Sequence, residues 1–222
     1  MKPKFLDILV NPNAFFKEAM QENINLKIPA LIILVAAVIG AVYGYVYGGL
    51  TAELMSTGMP GLETVILAFA VIAAFVSVFI FWVIWTAVIF LFSAVFKGKG
   101  TFKRTLEFVG YGYIPQIFGS LIAIIIALEY IPRVVIPHIT QATLQDPQLM
   151  QDAIKSLTHD PAMLEFTQIS AIVTIVFLLW SANIWIFAIR HSRELSVRDA
   201  VICVMVPVIA FIIYLVYNLT VM

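Results

Sequence analysis

Three groups of side chains in this 222-residue chain have types and spacing that could do chemistry. His138 and His159 share one polar stretch with Asp146, Asp152 and Asp160. Imidazole and carboxylate are ligands for a divalent ion, so His138, His159 and Asp160 are the candidates for a metal-sensing site. No pair among them has the spacing of a recognised site. Asn183 lies deep in an apolar run, and Glu129 lies near the end of another. Polar groups in such places serve a solute or proton path, or hydrogen-bond across to a neighbouring helix. A proton-coupled pump normally needs a deep carboxylate or histidine, and the apolar runs show none. Gly98 and Gly100 flank Lys99 just ahead of Thr101-Phe102-Lys103-Arg104, which describes a tight turn carrying cations. A phosphate-cradling loop would require G-x-x-x-x-G-K-[ST], and that pattern is absent. So are H-E-x-x-H and G-x-S-x-G. The single cysteine, Cys203, sits in an apolar run, where it is an inert thiol. No catalytic constellation and no cofactor are expected.

The elements that must position these groups follow from composition. Hydrophobic residues make up 62% of the chain and charged residues 12%, with mean hydropathy +1.02. Soluble domains run at about 45–50% and about 25%. A globule of this size leaves much of its surface in water and could not hide so much apolar area. The chain reads as an integral membrane protein, which excludes a soluble enzyme, a nucleic-acid binder, a disordered tail and a secreted disulfide scaffold. Five apolar runs of about 20 residues or more can cross a bilayer, at about 28–50, 64–96, 109–131, 169–189 and 199–221. The fold class is therefore all-α and polytopic. The second run would extend about 50 Å at about 1.5 Å per residue, so it must tilt or project. Residues 1–27 form an amphipathic N-terminal segment ahead of a membrane domain at 28–222. The N-terminal segment has no continuous apolar core of a signal peptide. Asn11-Pro12 reads as a helix start, and Phe15, Phe16, Ala19 and Met20 share a face. That describes a short helix lying on the membrane, or a simple lead-in to the first span.

Orientation follows from the basic residues between spans. Lys2, Lys4, Lys17, Lys27, Lys97, Lys99, Lys103, Arg104, Arg190, Arg193 and Arg198 fall on one side, against Arg133 and Lys155 on the other. This places the N-terminus in the cytoplasm and the C-terminus outside. Net charge is zero, with 13 basic and 13 acidic residues, yet the inner face is positive and should attract anionic headgroups or an acidic partner. The outer segment 132–168 should be partly helical. Asp146-Pro147 and Asp160-Pro161 are each a cap followed by a first helical proline. The stripe Leu149, Met150, Ala153, Ile154 and Leu157 predicts a helix over 147–158, with a second from Pro161 into span four. Ser196 and Asp199 have the spacing of a capping box before span five.

Two spans carry rows of small residues at every fourth position: Ala36, Gly40, Gly44 and Gly48, then Gly119, Ala123 and Ala127 after Pro115. Such rows let another backbone approach closely, within the subunit or in a homo-oligomer. Tyr43, Tyr45 and Tyr47 mark an aromatic belt at the outer end of span one. In Gly110-Tyr111-Gly112-Tyr113-Ile114-Pro115 the proline cannot donate a helical hydrogen bond, so span three should start with a broken turn. Gly110, Tyr111, Gly112, Tyr113 and Pro115, with Lys99, Lys103 and Arg104 beside them, are the candidate partner or headgroup site.

Residues 97–115, KGKGTFKRTLEFVGYGYIP, carry a resemblance. With Asn11-Pro12 and Phe15-Phe16, the glycine-flanked basic turn, Gly110-Tyr111 and Pro115, and the five-span plan, the chain resembles the Yip family of Ypt/Rab-GTPase-interacting membrane proteins, in its short prokaryotic form. The resemblance implies a five-helix domain with a cytoplasmic N-terminus. Eukaryotic members work in vesicle traffic and bind prenylated Rab-type GTPases. This chain lacks their long N-terminal region and the Asp-Leu-Tyr-Gly-Pro motif, and Ile8-Leu9-Val10-Asn11-Pro12 stands there instead. The short N-terminus points to a bacterial or archaeal cell membrane. The leading expectation is a non-enzymatic protein that organises the bilayer or a membrane or cytoplasmic partner through helix–helix contacts. The alternatives are a small permease or lipid-handling protein with a polar path near Asn183 and Pro207, and an outer-face metal sensor.

Overall fold

A computed structural model describes residues 6–55, 61–137, 139, 143 and 145–221. The helices are α1 (Asp7–Val10), α2 (Pro12–Ala19), α3 (Lys27–Met55), α4 (Leu62–Val95), α5 (Phe102–Tyr111), α6 (Ile114–Tyr130), α7 (Pro147–Thr158), α8 (Pro161–Ser192) and α9 (Val197–Val221). A 3₁₀ turn, Ile131–Arg133, extends α6. There is no strand among the described residues. Five helices are long and apolar enough to cross a membrane: α3, α4, α6 with its 3₁₀ turn, α8 and α9.

Local chemistry sets the boundaries. The Asn11 side chain accepts from the Ala14 N–H at 3.3 Å and starts α2. Asp146 caps α7, and Asp160 caps α8 through the N–H groups of Ala162 and Met163, each with proline at the first turn. Ser196 accepts from the Asp199 N–H at 3.1 Å and donates its hydroxyl to the Asp199 carboxylate at 2.7 Å. α4 runs unbroken for 34 residues, because no glycine or proline interrupts it.

α8 is the central helix, packed on α6, α9, α5 and α2, while α3 pairs along its length with α4 and also touches α6 and α5. The small residues of α3 face α4. A Cβ on Gly44 would lie 2.6 Å from Ala74 Cβ, and one on Gly48 would lie 2.6 Å from Ala70 Cβ. Gly119 does the same for α6 against α8, where a Cβ would meet Phe177 at 3.0 Å. Ala36 and Ala127 are buried, and Ala123 is half-buried.

Two features differ from the sequence expectation. Residues 102–111 form a helix of their own, and α6 begins at Ile114 instead of 109, because the chain breaks at Gly112-Tyr113. The N-terminal helix does not lie with its apolar face on lipid. Phe15, Phe16 and Ala19 are buried in a cluster with Phe108, Tyr111, Ile114, Ile184 and Ala188. Protein supplies the apolar partner, in place of the lipid that a helix lying on the membrane would meet and unlike a simple lead-in to the first span.

Candidate functional site

The end of the bundle that carries residues 97–104 and 190–198 is closed by a cap made of α1, α2, α5 and two helix ends. α4 ends on Lys97 in the left-handed conformation (φ 56°), with the Gly98 N–H returning to the Ser93 carbonyl at 3.0 Å. α8 ends the same way, with Glu194 at φ 54° and the Leu195 N–H returning to the Arg190 carbonyl at 2.9 Å. These two ends interlock. The Lys99 N–H donates to the Arg193 carbonyl at 2.9 Å. Arg193 is only 4% exposed. Its guanidinium donates to Ser93 Oγ (2.7 Å), the Gly98 carbonyl (2.6 Å) and the Gly100 carbonyl (2.5 Å), and it lies 4.0 Å from the Phe90 ring centroid. Burial holds its pKa below the usual value. The glycines are required here. Gly100 is left-handed (φ 95°), and a Cβ on it would strike the Ser192 carbonyl, while a Cβ on Gly98 would lie 2.9 Å from the Ser93 carbonyl. The turn that sequence marks as a cation loop is therefore folded around an internal cation, with the Gly98 and Gly100 carbonyls taken by Arg193.

A second cation fastens the link between α2 and α3. Arg104 donates to the Glu107 carboxylate at 2.8 Å, to the Glu22 carbonyl at 2.5 Å and to the Ala19 carbonyl at 3.4 Å, with its guanidinium 5.3 Å from the Phe108 ring centroid. The other Glu107 oxygen accepts from the Asn25 N–H at 3.1 Å. Burial raises the Glu107 pKa, against the opposing pull of the Asn25 hydrogen bond and Arg104. Asn13 ties α2 to the end of α8, its Oδ1 meeting Arg190 Nη1 at 2.8 Å and His191 Nε2 at 2.9 Å.

The α5–α6 junction is filled by two indoles. Gly112 and Tyr113 donate to the Val109 and Gly110 carbonyls, a tightened 3₁₀ pattern. Trp82 Nε1 donates to the Leu106 carbonyl at 3.1 Å, and Trp185 Nε1 donates to the Val109 carbonyl at 2.9 Å. A Cβ on Gly110 would lie 3.2 Å from the Trp82 indole nitrogen, and a Cβ on Gly112 would overlap the Trp185 indole. Gly110, Tyr111, Gly112 and Pro115 are buried, and Tyr113 is half-buried with its ring 5.8 Å from that of Trp185. The Tyr111 phenol is pushed up to about 12, first by burial and then by the charges of Glu107 and Glu22. Burial raises Tyr113 too. Of the residues expected at this site, Lys99 and Lys103 stay exposed, as does Lys97, while Arg104 and the junction face inward.

The other candidates lie elsewhere. Glu129 pairs with Arg133 on the surface of the opposite end. Asp160 is committed to the α8 cap and also accepts from the Val135 N–H at 3.2 Å, and His159 Nδ1 sits 2.9 Å from the Lys155 carbonyl. His138 lies outside the described residues. No group of three or more metal-ligating side chains occurs among the described residues. Asn183 faces outward from α8, exposed, and Pro207 is half-buried within α9. A crevice opens at the α3–α4 seam between Tyr43, Tyr47, Met55, Val65, Phe69 and Ala74, and its walls are apolar. Sequence reasoning missed the Arg193–Ser93 link, the hold of Asn13 on Arg190 and His191, and the two indoles of Trp82 and Trp185. A serine at the end of span two, Ser93, and an arginine just past span four were the available signals.

The fold and the cap together define a polytopic, five-span helical membrane protein. The chain belongs to the Yip1 domain family, whose model matches residues 6–218. An uncharacterized protein of the archaeon Methanocaldococcus jannaschii is 39% identical to it over 126 residues, covering 55% of this chain and 86% of the relative. No solved structure matches the chain.

Proposed function

We propose that the protein is a non-enzymatic organiser of a prokaryotic cell membrane. It is inserted with the basic end and the N-terminus in the cytoplasm and the C-terminus outside. The cap is the working surface toward anionic headgroups, and the lateral helix faces are the working surface toward protein partners. The observation that carries this reading is the division of labour among cations at the basic end. Arg104 and Arg193 are consumed in fixing the cap, while Lys97, Lys99 and Lys103 stand exposed on it. A lysine held near headgroup level on a fixed frame gains about 1 kcal/mol from an anionic surface.

Two measurements test it. Cysteines replacing Met55 and Met150 should react with an impermeant thiol reagent added to intact cells, and cysteines replacing Lys99 and Glu194 should not. The reverse pattern overturns the orientation. Purified protein should retain anionic over zwitterionic lipid, and the triple change Lys97→Gln, Lys99→Gln, Lys103→Gln should erase that preference without lowering the melting temperature. Equal lipid retention by wild type and variant overturns the headgroup role.

A further inference from the structure

α8 carries an unsatisfied amide into the bilayer. Asn183 is exposed, and no group among the described residues hydrogen-bonds to it. It lies seven residues from Arg190, which is about 10 Å along the helix and too far for an asparagine to reach water. Several other polar side chains in the spans solve this problem locally. Thr86 donates to the Trp82 carbonyl at 2.7 Å, Thr174 to the Ser170 carbonyl at 2.8 Å, and Asn218 to the Tyr214 carbonyl at 2.7 Å. Asn183 does not. Lipid tails offer no partner, so the amide needs one from another helix.

The neighbours of Asn183 say what kind of helix. Ile172, Val176, Leu179 and Asn183 follow one another at four-, three- and four-residue steps, and all four are exposed. The residues between them that turn inward, Leu178, Ser181 and Ala182, are buried. Steps of four and three are the seam of a left-handed helix pair, and one asparagine in such a seam sets register and pairing. An amide is also its own complement, since the carbonyl of one accepts from the NH₂ of the other. Copies inserted the same way place two such seams parallel about a two-fold axis, with the two asparagines facing each other.

We infer that the exposed Ile172–Asn183 seam of α8 is a docking surface for a second copy of this chain, registered by an Asn183–Asn183 amide pair in the bilayer. This deepens the proposal that lateral helix faces are working surfaces, and it supplies the partner for one of them.

Oxidative cross-linking in liposomes at low protein-to-lipid ratio tests it. Leu179→Cys and Val176→Cys should give covalent dimer, whereas Phe69→Cys, exposed on α4, should not. The unaltered chain, with only the buried Cys203, is the blank. In the Leu179→Cys background, Asn183→Leu should lower dimer yield about tenfold and Asn183→Gln should preserve it. The proposal is overturned if Leu179→Cys cross-links no better than Phe69→Cys, or if Asn183→Leu leaves the yield unchanged. A melting curve of each variant shows whether it is folded. Should Asn183→Leu misfold, the 179, 176 and 69 pattern in the wild-type helix decides alone. Failure here leaves the headgroup measurement with the triple lysine variant untouched, and the reverse holds as well.

Discussion

Trp185 occupies the space that a side chain on Gly112 would need. The indole donates to the Val109 carbonyl at 2.9 Å, one turn before the break, and a Cβ on residue 112 would overlap the ring. Gly112→Ala should therefore push Trp185 out and cost its hydrogen bond as well as its packing. Overpacking of this kind costs about 1–3 kcal/mol, and detergent-solubilised protein should melt earlier. Trp185→Phe, which removes the clashing nitrogen, should cost less when combined with Gly112→Ala than the two single losses added together. Strict additivity in the melting temperatures would show that the two residues do not share this space.

The α3–α4 seam makes a similar demand at Gly44. Its Cβ position lies 2.6 Å from Ala74 Cβ and 3.0 Å from the Ala70 carbonyl oxygen, and backbone cannot yield as a flexible side chain does. Gly44→Leu should separate α3 from α4 and lower the melting temperature. Gly49→Ala, with open space around the added carbon, is the matched control and should melt within a degree or two of wild type. If Gly44→Leu melts with the control, the seam is not closely packed.

The parts of this fold that could be read from sequence are those governed by local chemistry. Asp146-Pro147 with the Leu149 to Leu157 stripe describes α7, and the structure has a helix at Pro147–Thr158. Asp160-Pro161 marks the start of α8, and the five apolar runs carry the five spans. The helix α5 was hidden because its apolar end, Phe108-Val109, runs into the apolar stretch of span three. The docking of α2 was hidden for a different reason. An apolar face holding Phe15 and Phe16 has the same composition whether it meets lipid or Phe108 and Tyr111. The cap depends on pairs such as Arg193–Ser93 and Arg190–Asn13, separated by 100 and 177 positions. Among eleven cations of similar setting, no local pattern shows which are buried.

Arg193 can be tested by the conservative change. A lysine has one ammonium where the guanidinium offers a planar fork, so it cannot hold Ser93 and both glycine carbonyls together. Each hydrogen bond from a charged donor contributes about 1.5–3 kcal/mol, and Arg193→Lys should loosen the 97–100 turn before it unfolds the spans. Limited proteolysis after Lys97 and Lys99 should speed up several-fold while helical content by circular dichroism is unchanged. Unaltered cleavage would show that the turn is held by its backbone contacts alone.

Glu107 gives the cap a pH dependence whose sign is fixed by its setting. Burial raises its folded-state pKa above the ordinary 4.5, so the charged form is disfavoured in the folded protein despite Arg104. For a carboxyl raised in this way, the stabilising contribution is complete below the unfolded value and is lost as pH rises through the folded value. The link at Glu22–Asn25 should therefore tighten as pH falls from neutral toward 4.5 and gain nothing further below it. Other carboxylates titrate in the same range, so the quantity to measure is the difference between wild type and Glu107→Gln. The glutamine keeps an acceptor for the Asn25 N–H without a proton to gain. At neutral pH the wild type carries the burial cost of the charge, offset by Arg104, and on acidification its melting temperature should rise relative to that of Glu107→Gln. Parallel melting curves from pH 7 to pH 4.5 would show that Glu107 is not held above its ordinary value, and a relative fall in the wild type would show that the ion pair with Arg104 outweighs burial.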